Sequence, residues 1–174
     1  MQYKTTILVI LLMLGITGGI GWLYVAQGEK NEEKLNKPMM GEKMPDQGSV
    51  HVARGEPHPD YNSNPPTSGP HWVGVAGPGI KTEPVPDELV LHSMEHGAAV
   101  VWYQASLPES EILKIKEAFK NSSGKKIMLP REDLDVPVAL TSWGYLLKLE
   151  TVDEAQIIAF IETNNDRAPE KAPI

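Results

Sequence analysis

The chain has 174 residues, a formal net charge of −7 and no cysteine. The missing thiols exclude a disulfide framework, a thiolate metal site and a lipid-modified cysteine. The acidic balance, with no basic stripe interleaved with aromatics, argues against nucleic-acid binding.

From Thr5 to Ala26 no residue is charged, and Ile7 to Leu14 is a continuous apolar run. Some 22 helical residues reach about 33 Å, enough for a hydrocarbon core of about 30 Å. Lys4 precedes the run and a mixed-charge flank follows, so the sequence predicts an N-terminal signal-anchor over residues 1–28, with the remainder extracytoplasmic at the cell membrane. Ala26-Gln27-Gly28 also allows a cleaved secretory signal. The length of the run, with Trp22 and Tyr24 at interfacial positions, favours the uncleaved anchor. Residues 29–48 are polar and punctuated by proline and glycine, the composition of a juxtamembrane linker. Met39, Met40 and Met44 stand out there, either as incidental spacer residues or as thioether ligands for cuprous ion.

The folded domain is expected over residues 49–174. His51 alternates with Val50 and Val52, which places it on the outer face of an opening strand. Between Arg54 and Pro86 prolines and glycines abound and no apolar period exists, so a long ordered loop anchored by Tyr61 and Trp72 is expected. Val85 to Gly97 predicts a short helix closed by a left-handed glycine. Ala98 to Tyr103 reads as a buried strand, Pro108 to Lys120 as an amphipathic helix with Ile112, Ile115, Ala118 and Phe119 inward, and Lys126 to Leu129 as a second strand. Val136 to Glu150 holds one or two more strands, broken near Trp143-Gly144. Thr151 or Asp153 caps a last helix with Ala155, Ile158, Ala159 and Ile161 facing the core. The fold class is α+β: a small mixed or mostly antiparallel sheet with two helices on one face, preceded by one transmembrane helix.

Four of the five histidines concentrate in two stretches, His58 to His71 and His92 to His96. His92 and His96 are four apart, so on a helix both imidazoles share one face. His71 and His58 stand on proline-restricted backbone. Imidazole is the commonest protein ligand for zinc and cupric copper, so His71, His92 and His96, with His58 as a fourth, form the candidate metal set. Glu95 is assigned to orient an imidazole, with ligand and general-base roles left open. Met94 between them suits the core better than a metal. Thr67 and Ser68 lack the elbow context of a serine nucleophile.

The blocks His58-Pro59-x-Tyr61-x-Ser63-x-Pro65-Pro66-Thr67-Ser68-Gly69-Pro70-His71-Trp72 and His92-Ser93-Met94-Glu95-His96-Gly97 resemble those of the domain of unknown function 3105 family, over about Val50 to Glu170. The resemblance implies a membrane-anchored or exported bacterial or archaeal domain and no particular activity. Its histidines map to His58, His71, His92 and His96 and its acid to Glu95, while Met94 replaces leucine, again a core residue. Arg167 to Glu170 matches the family's ending, where a surface loop is expected.

The leading expectation is a tethered domain that binds copper or zinc as a binding or delivery module, because no complete nucleophile or acid/base set accompanies the histidines. An interaction module with structural histidines, presenting Tyr61 and Trp72, is the second. A metal-dependent hydrolase with Glu95 as base is the third.

Overall fold

The computed structural model describes residues 2–174, with the side chains of 13, 15–17, 19–29 and 32–174. The chain forms two compact units, Met1–Pro38 and Met39–Ile174. The first contains helix α1, Gln2–Asn36. It continues through the charged stretch expected to be linker, because Glu and Lys are good helix formers. Among the described residues no helix is long and apolar enough to cross a membrane, so the span expected over Thr5–Ala26 is not found there. Most of its apolar run, Ile7 to Leu12 and Leu14, lies outside the described side chains.

The second unit is α+β, with elements β1 (Glu42–Lys43), β2 (Gly79–Ile80), α2 (Asp87–Glu95), β3 (Ala99–Gln104), α3 (Glu109–Asn121), β4 (Lys126–Arg131), β5 (Val138–Ser142), β6 (Tyr145–Leu149) and α4 (Glu154–Asn164). The strands form one sheet in the order β1-β6-β5-β3-β4-β2. It is mixed: β3 pairs parallel with β4 and antiparallel with β5. Helix α3 supplies the crossover that two parallel neighbours need.

Strand β3 is apolar at nearly every position because both sheet faces are covered. Ala99, Val101 and Tyr103 face a core shared with Ile115, Ala118 and Phe119 of α3 and Ile157, Phe160 and Ile161 of α4. Val100 and Trp102 face the other core, built with Val90, Leu91 and Met94 of α2 and closed by Tyr61 of the long loop. The two expected helices thus share one face, and α2 with the loop seals the other.

The inward face of α4 agrees with expectation at Ile158 and Ile161 and differs at the two alanines. Ala155 and Ala159 are exposed, and Ile157, Phe160, Ile161 and Asn164 are buried. Spacing of i, i+3 and i+4 runs through 155, 158 and 159 as well as through 157, 160 and 161, and burial of Ile157 and Phe160 outweighs that of two alanines. Asp153 caps this helix, its carboxylate accepting from the Gln156 amide at 3.0 Å. Asp153→Ala should cost about 1 kcal/mol in chemical denaturation. An unchanged midpoint would show that the cap contributes nothing.

Residues 39–48 are part of the folded unit, and the boundary expected at Ser49 lies ten residues earlier. Met40 packs against the core under α3 and α4, and Met44 against the opposite core. Both methionines serve packing. β1 adds to the free edge of β6, and the Met44 amide donates to the Gly144 carbonyl at 2.9 Å. The chain then runs along the loop as a strap. Gly69 N donates to Gly48 O at 2.8 Å, His71 N to Val50 O at 3.0 Å and Val52 N to His71 O at 2.8 Å.

Candidate metal centre

The site forms where three separate parts of the second unit meet: the strap, the loop and the end of α2. His92 and Glu95 lie three residues apart on α2, so they share a face. That helix is fixed from beneath by the fully buried Val90, Leu91 and Met94. Met94 is a core residue, its sulfur accepting from Thr141 Oγ1 at 3.2 Å, while Trp102 Nε1 donates to that hydroxyl at 2.8 Å.

His71 arrives from the loop. Gly69, at φ +127°, gives the sharp turn ahead of it, and a Cβ there would stand 3.0 Å from the Tyr61 ring. The Tyr61 hydroxyl donates to the Pro70 carbonyl at 2.7 Å, tying the turn to the loop's aromatic anchor. His71 is fully buried, and its ring meets that of Trp143 edge-on with centroids 5.9 Å apart. His51 arrives from the strap, where its backbone bridges to His71.

The result is a group of four, His51, His71, His92 and Glu95, whose donor atoms all lie within 4.8 Å of one another. Glu95 Oε2 is 3.0 Å from His71 Nε2 and 3.4 Å from His51 Nε2. Donors at about 2.0 to 2.1 Å around a tetrahedral zinc ion stand about 3.3 Å apart. Two observed edges therefore already have the right size.

Ring orientation supports the same use. His71 Nδ1 lies 2.8 Å from the Gly69 carbonyl, which can only accept, so Nδ1 carries the hydrogen. Nε2 of that ring then faces a carboxylate oxygen, and the contact needs a proton or a metal ion between them. His92 Nδ1 faces the Gly74 carbonyl at 3.3 Å in the same manner. A backbone carbonyl on the far nitrogen is how proteins fix the tautomer of a ligating imidazole.

The acid–base setting favours the unprotonated forms of His92 and Glu95. Burial lowers the affinity of His92 for a proton, and repulsion from His96, His71 and His51 lowers it further, against a smaller opposing effect of the Gly74 carbonyl. For Glu95 burial acts upward, but hydrogen bonds from Ser49, His71 and His51 and the charge of His71 together hold its carboxyl below the usual range. Below about pH 6.5 an unfolded histidine takes up a proton that folded His92 still refuses, so stability falls as pH drops through that value. The contribution of Glu95 survives until pH falls through its own lowered pKa. The metal-free protein should therefore melt progressively lower from about pH 6.5 downward, a trend a thermal series in chelator would reveal. A flat or rising profile would contradict it.

Of the residues singled out in the sequence, His71, His92 and Glu95 come together, while His96 and His58 do not join them. His96 caps α2, and its amide donates to the His92 carbonyl at 3.1 Å, so the four-residue spacing does set it one turn above His92. Its ring touches that of His92 at 4.4 Å between centroids, but Nδ1 lies 2.8 Å from the Pro173 carbonyl and Nε2 3.2 Å from Glu170. Lys125 Nζ secures the same tail, donating to the His96 and Ala172 carbonyls at 2.9 Å each. The C-terminal segment expected to be a plain surface loop is thereby clamped across the end of α2. His58 pairs with Glu88 at 3.5 Å and packs on Tyr61, where it fixes the loop.

His51 is a candidate ligand that its alternation with Val50 and Val52 does not predict. Val50 is exposed and Val52 half-buried, while His51, itself partly exposed, lays its ring against His71 and His92, which the flanking valines do not suggest. The ground beneath the strap is the polar cluster, so the imidazole, and not the valine, finds its partners there. Glu95 also moves from an orienting role to membership of the cluster itself.

Fold and site together define an α+β domain with a three-histidine, one-glutamate cluster, buried except at His51, at the meeting of loop, strap and helix. Residues 51–173 match the model of a family described as a protein of unknown function (DUF3105), and the chain belongs to that family. No curated protein and no solved structure matches it.

Proposed function

We propose that the domain binds a divalent transition metal, zinc or cupric copper, through His51, His71, His92 and Glu95, as a binding or delivery module. The observation that carries this reading is the convergence of four donors within 4.8 Å, with the far nitrogen of His71 committed to a backbone carbonyl. Three neutral imidazoles and one carboxylate are borderline and hard donors, a set that suits zinc and cupric copper better than cuprous ion. Met94, the one thioether in the motif, is buried in the core with its own partner.

The test is the metal content of the full chain, purified in mild detergent without a histidine tag. About one ion per chain is expected. His96→Ala should retain it and His92→Ala should lose it. Equal content in parent and His92→Ala would contradict the proposal.

A second reading rests on the same 3.0 Å contact. A proton shared between His71 and Glu95 would make a structural lock that pins the loop to α2. A chelator would then leave the melting temperature unchanged, whereas a resident metal predicts a marked fall. We also place the domain outside the cytoplasm, on the support of Lys4 ahead of the uncharged stretch Thr5–Ala26. Cell fractionation should recover the chain with the envelope, and a cytosolic pool alone would contradict that placement.

A further inference from the structure

We infer that metal enters and leaves this centre on the His51 side, with His51 as the ligand that an incoming donor displaces. The inference rests on the metal-binding reading above and goes beyond it, from holding an ion to the route by which the ion is passed on.

The four donors are not equivalent. His71 has no exposed side-chain surface and Glu95 has 4%, whereas His51 has 40%. His92 and Glu95 belong to one helix seated on a fully buried face, and moving either means moving α2. His71 is tied at its amide, its carbonyl and Nδ1. His51 sits on a strap whose neighbours Ser49, Val50, Ala53 and Arg54 are all exposed. Rotation of its side chain alone would open the ion to solvent; it gives up the contacts of the His51 ring with His71, His92 and Glu95 but leaves the backbone of α2 and of the loop in place.

That asymmetry suits ligand substitution. An imidazole or thiolate from a metal-carrying partner, or an amine or carboxylate of a small chelator, approaches on the open side and bonds to the ion. His51 Nε2 then leaves with its lone pair. The ion keeps its charge and no electron moves, so no further reactant is needed. Two imidazoles and the Glu95 carboxylate remain, enough to hold the ion until the incoming ligand set is complete.

The test uses the zinc-loaded full chain in mild detergent, mixed with excess 4-(2-pyridylazo)resorcinol and followed by absorbance. His51→Ala is expected to take up about one zinc and to release it at least about tenfold faster than the parent, since ligand loss acts mainly on the off-rate. His51→Cys restores a donor and should restore slow release. Because His51 is partly exposed, both variants should melt with the parent when metal-free. Release from His51→Ala at the parental rate would overturn the inference, and so would a His51→Ala chain that takes up no zinc, since His51 would then be indispensable for holding the ion. A parent that takes up no zinc at all would instead overturn the metal-binding reading, and the exchange route with it.

Discussion

Glu95→Gln is expected to weaken metal binding by at least about 100-fold, the largest loss among isosteric changes at the site. The substitution keeps the shape of the side chain and removes its charge. Glu95 is the one anionic donor of the group, and it accepts from Ser49 and contacts both His51 and His71. An amide in its place offers a weaker oxygen donor and can turn an NH2 group toward His71 Nε2. Zinc titration with a competing chromophoric chelator measures the change. An affinity within a few-fold of the parent would remove Glu95 from the ligand set.

Trp102→Ala should have the largest effect on stability, about 3 to 5 kcal/mol. Trp102 is 1% exposed, at the centre of the sheet and under α2. Its loss leaves a cavity in the core that seats Met94 and Leu91. It also strips Thr141 of the indole donor at 2.8 Å and Arg131 of the ring it covers at 5.2 Å. A fall in melting temperature of roughly 10 °C or more is expected for a unit of this size. The consequence reaches function, because α2 carries His92 and Glu95 on the opposite side of the same buried residues. A variant that melted within a degree or two of the parent would show that α2 is not seated by this core.

The elements legible in the sequence are those whose burial repeats regularly. β3 is a continuous apolar run because both its faces are covered, and α3 shows its inner face through Ile115, Ala118 and Phe119. The break at Trp143-Gly144 is also readable, since Gly144 at φ +72° makes the tight turn between the paired Ser142 and Tyr145. The two-residue strands β1 and β2 carry no period and are set by contacts distant in sequence. Met40 and Met44 resemble spacer residues until the strap is seen against the sheet.

The site was readable in part for a related reason. His71 stands out because Gly69-Pro70 fixes its backbone, and Glu95 because it lies beside histidines. The spacing of His92 and His96 on a short helix ended by Gly97 predicts that the two rings share a face. That pairing is seen, with ring centroids 4.4 Å apart, but the His96 nitrogens are taken by the Pro173 carbonyl and Glu170, so Glu95, at a spacing of three, joins His92 in the cluster instead. His51 gave no periodic signal, since one imidazole between two valines means opposite things over an apolar core and over a polar cluster. A strap's facing depends on what lies beneath it, and that is a tertiary fact.

X-ray absorption at the zinc edge of the loaded full chain tests the central claim most directly. The account predicts a four-coordinate ion with three imidazole nitrogens and one carboxylate oxygen at about 2.0 to 2.1 Å, and one imidazole fewer in His51→Ala. A first shell of six oxygens, or a shell unchanged by His51→Ala, would contradict it.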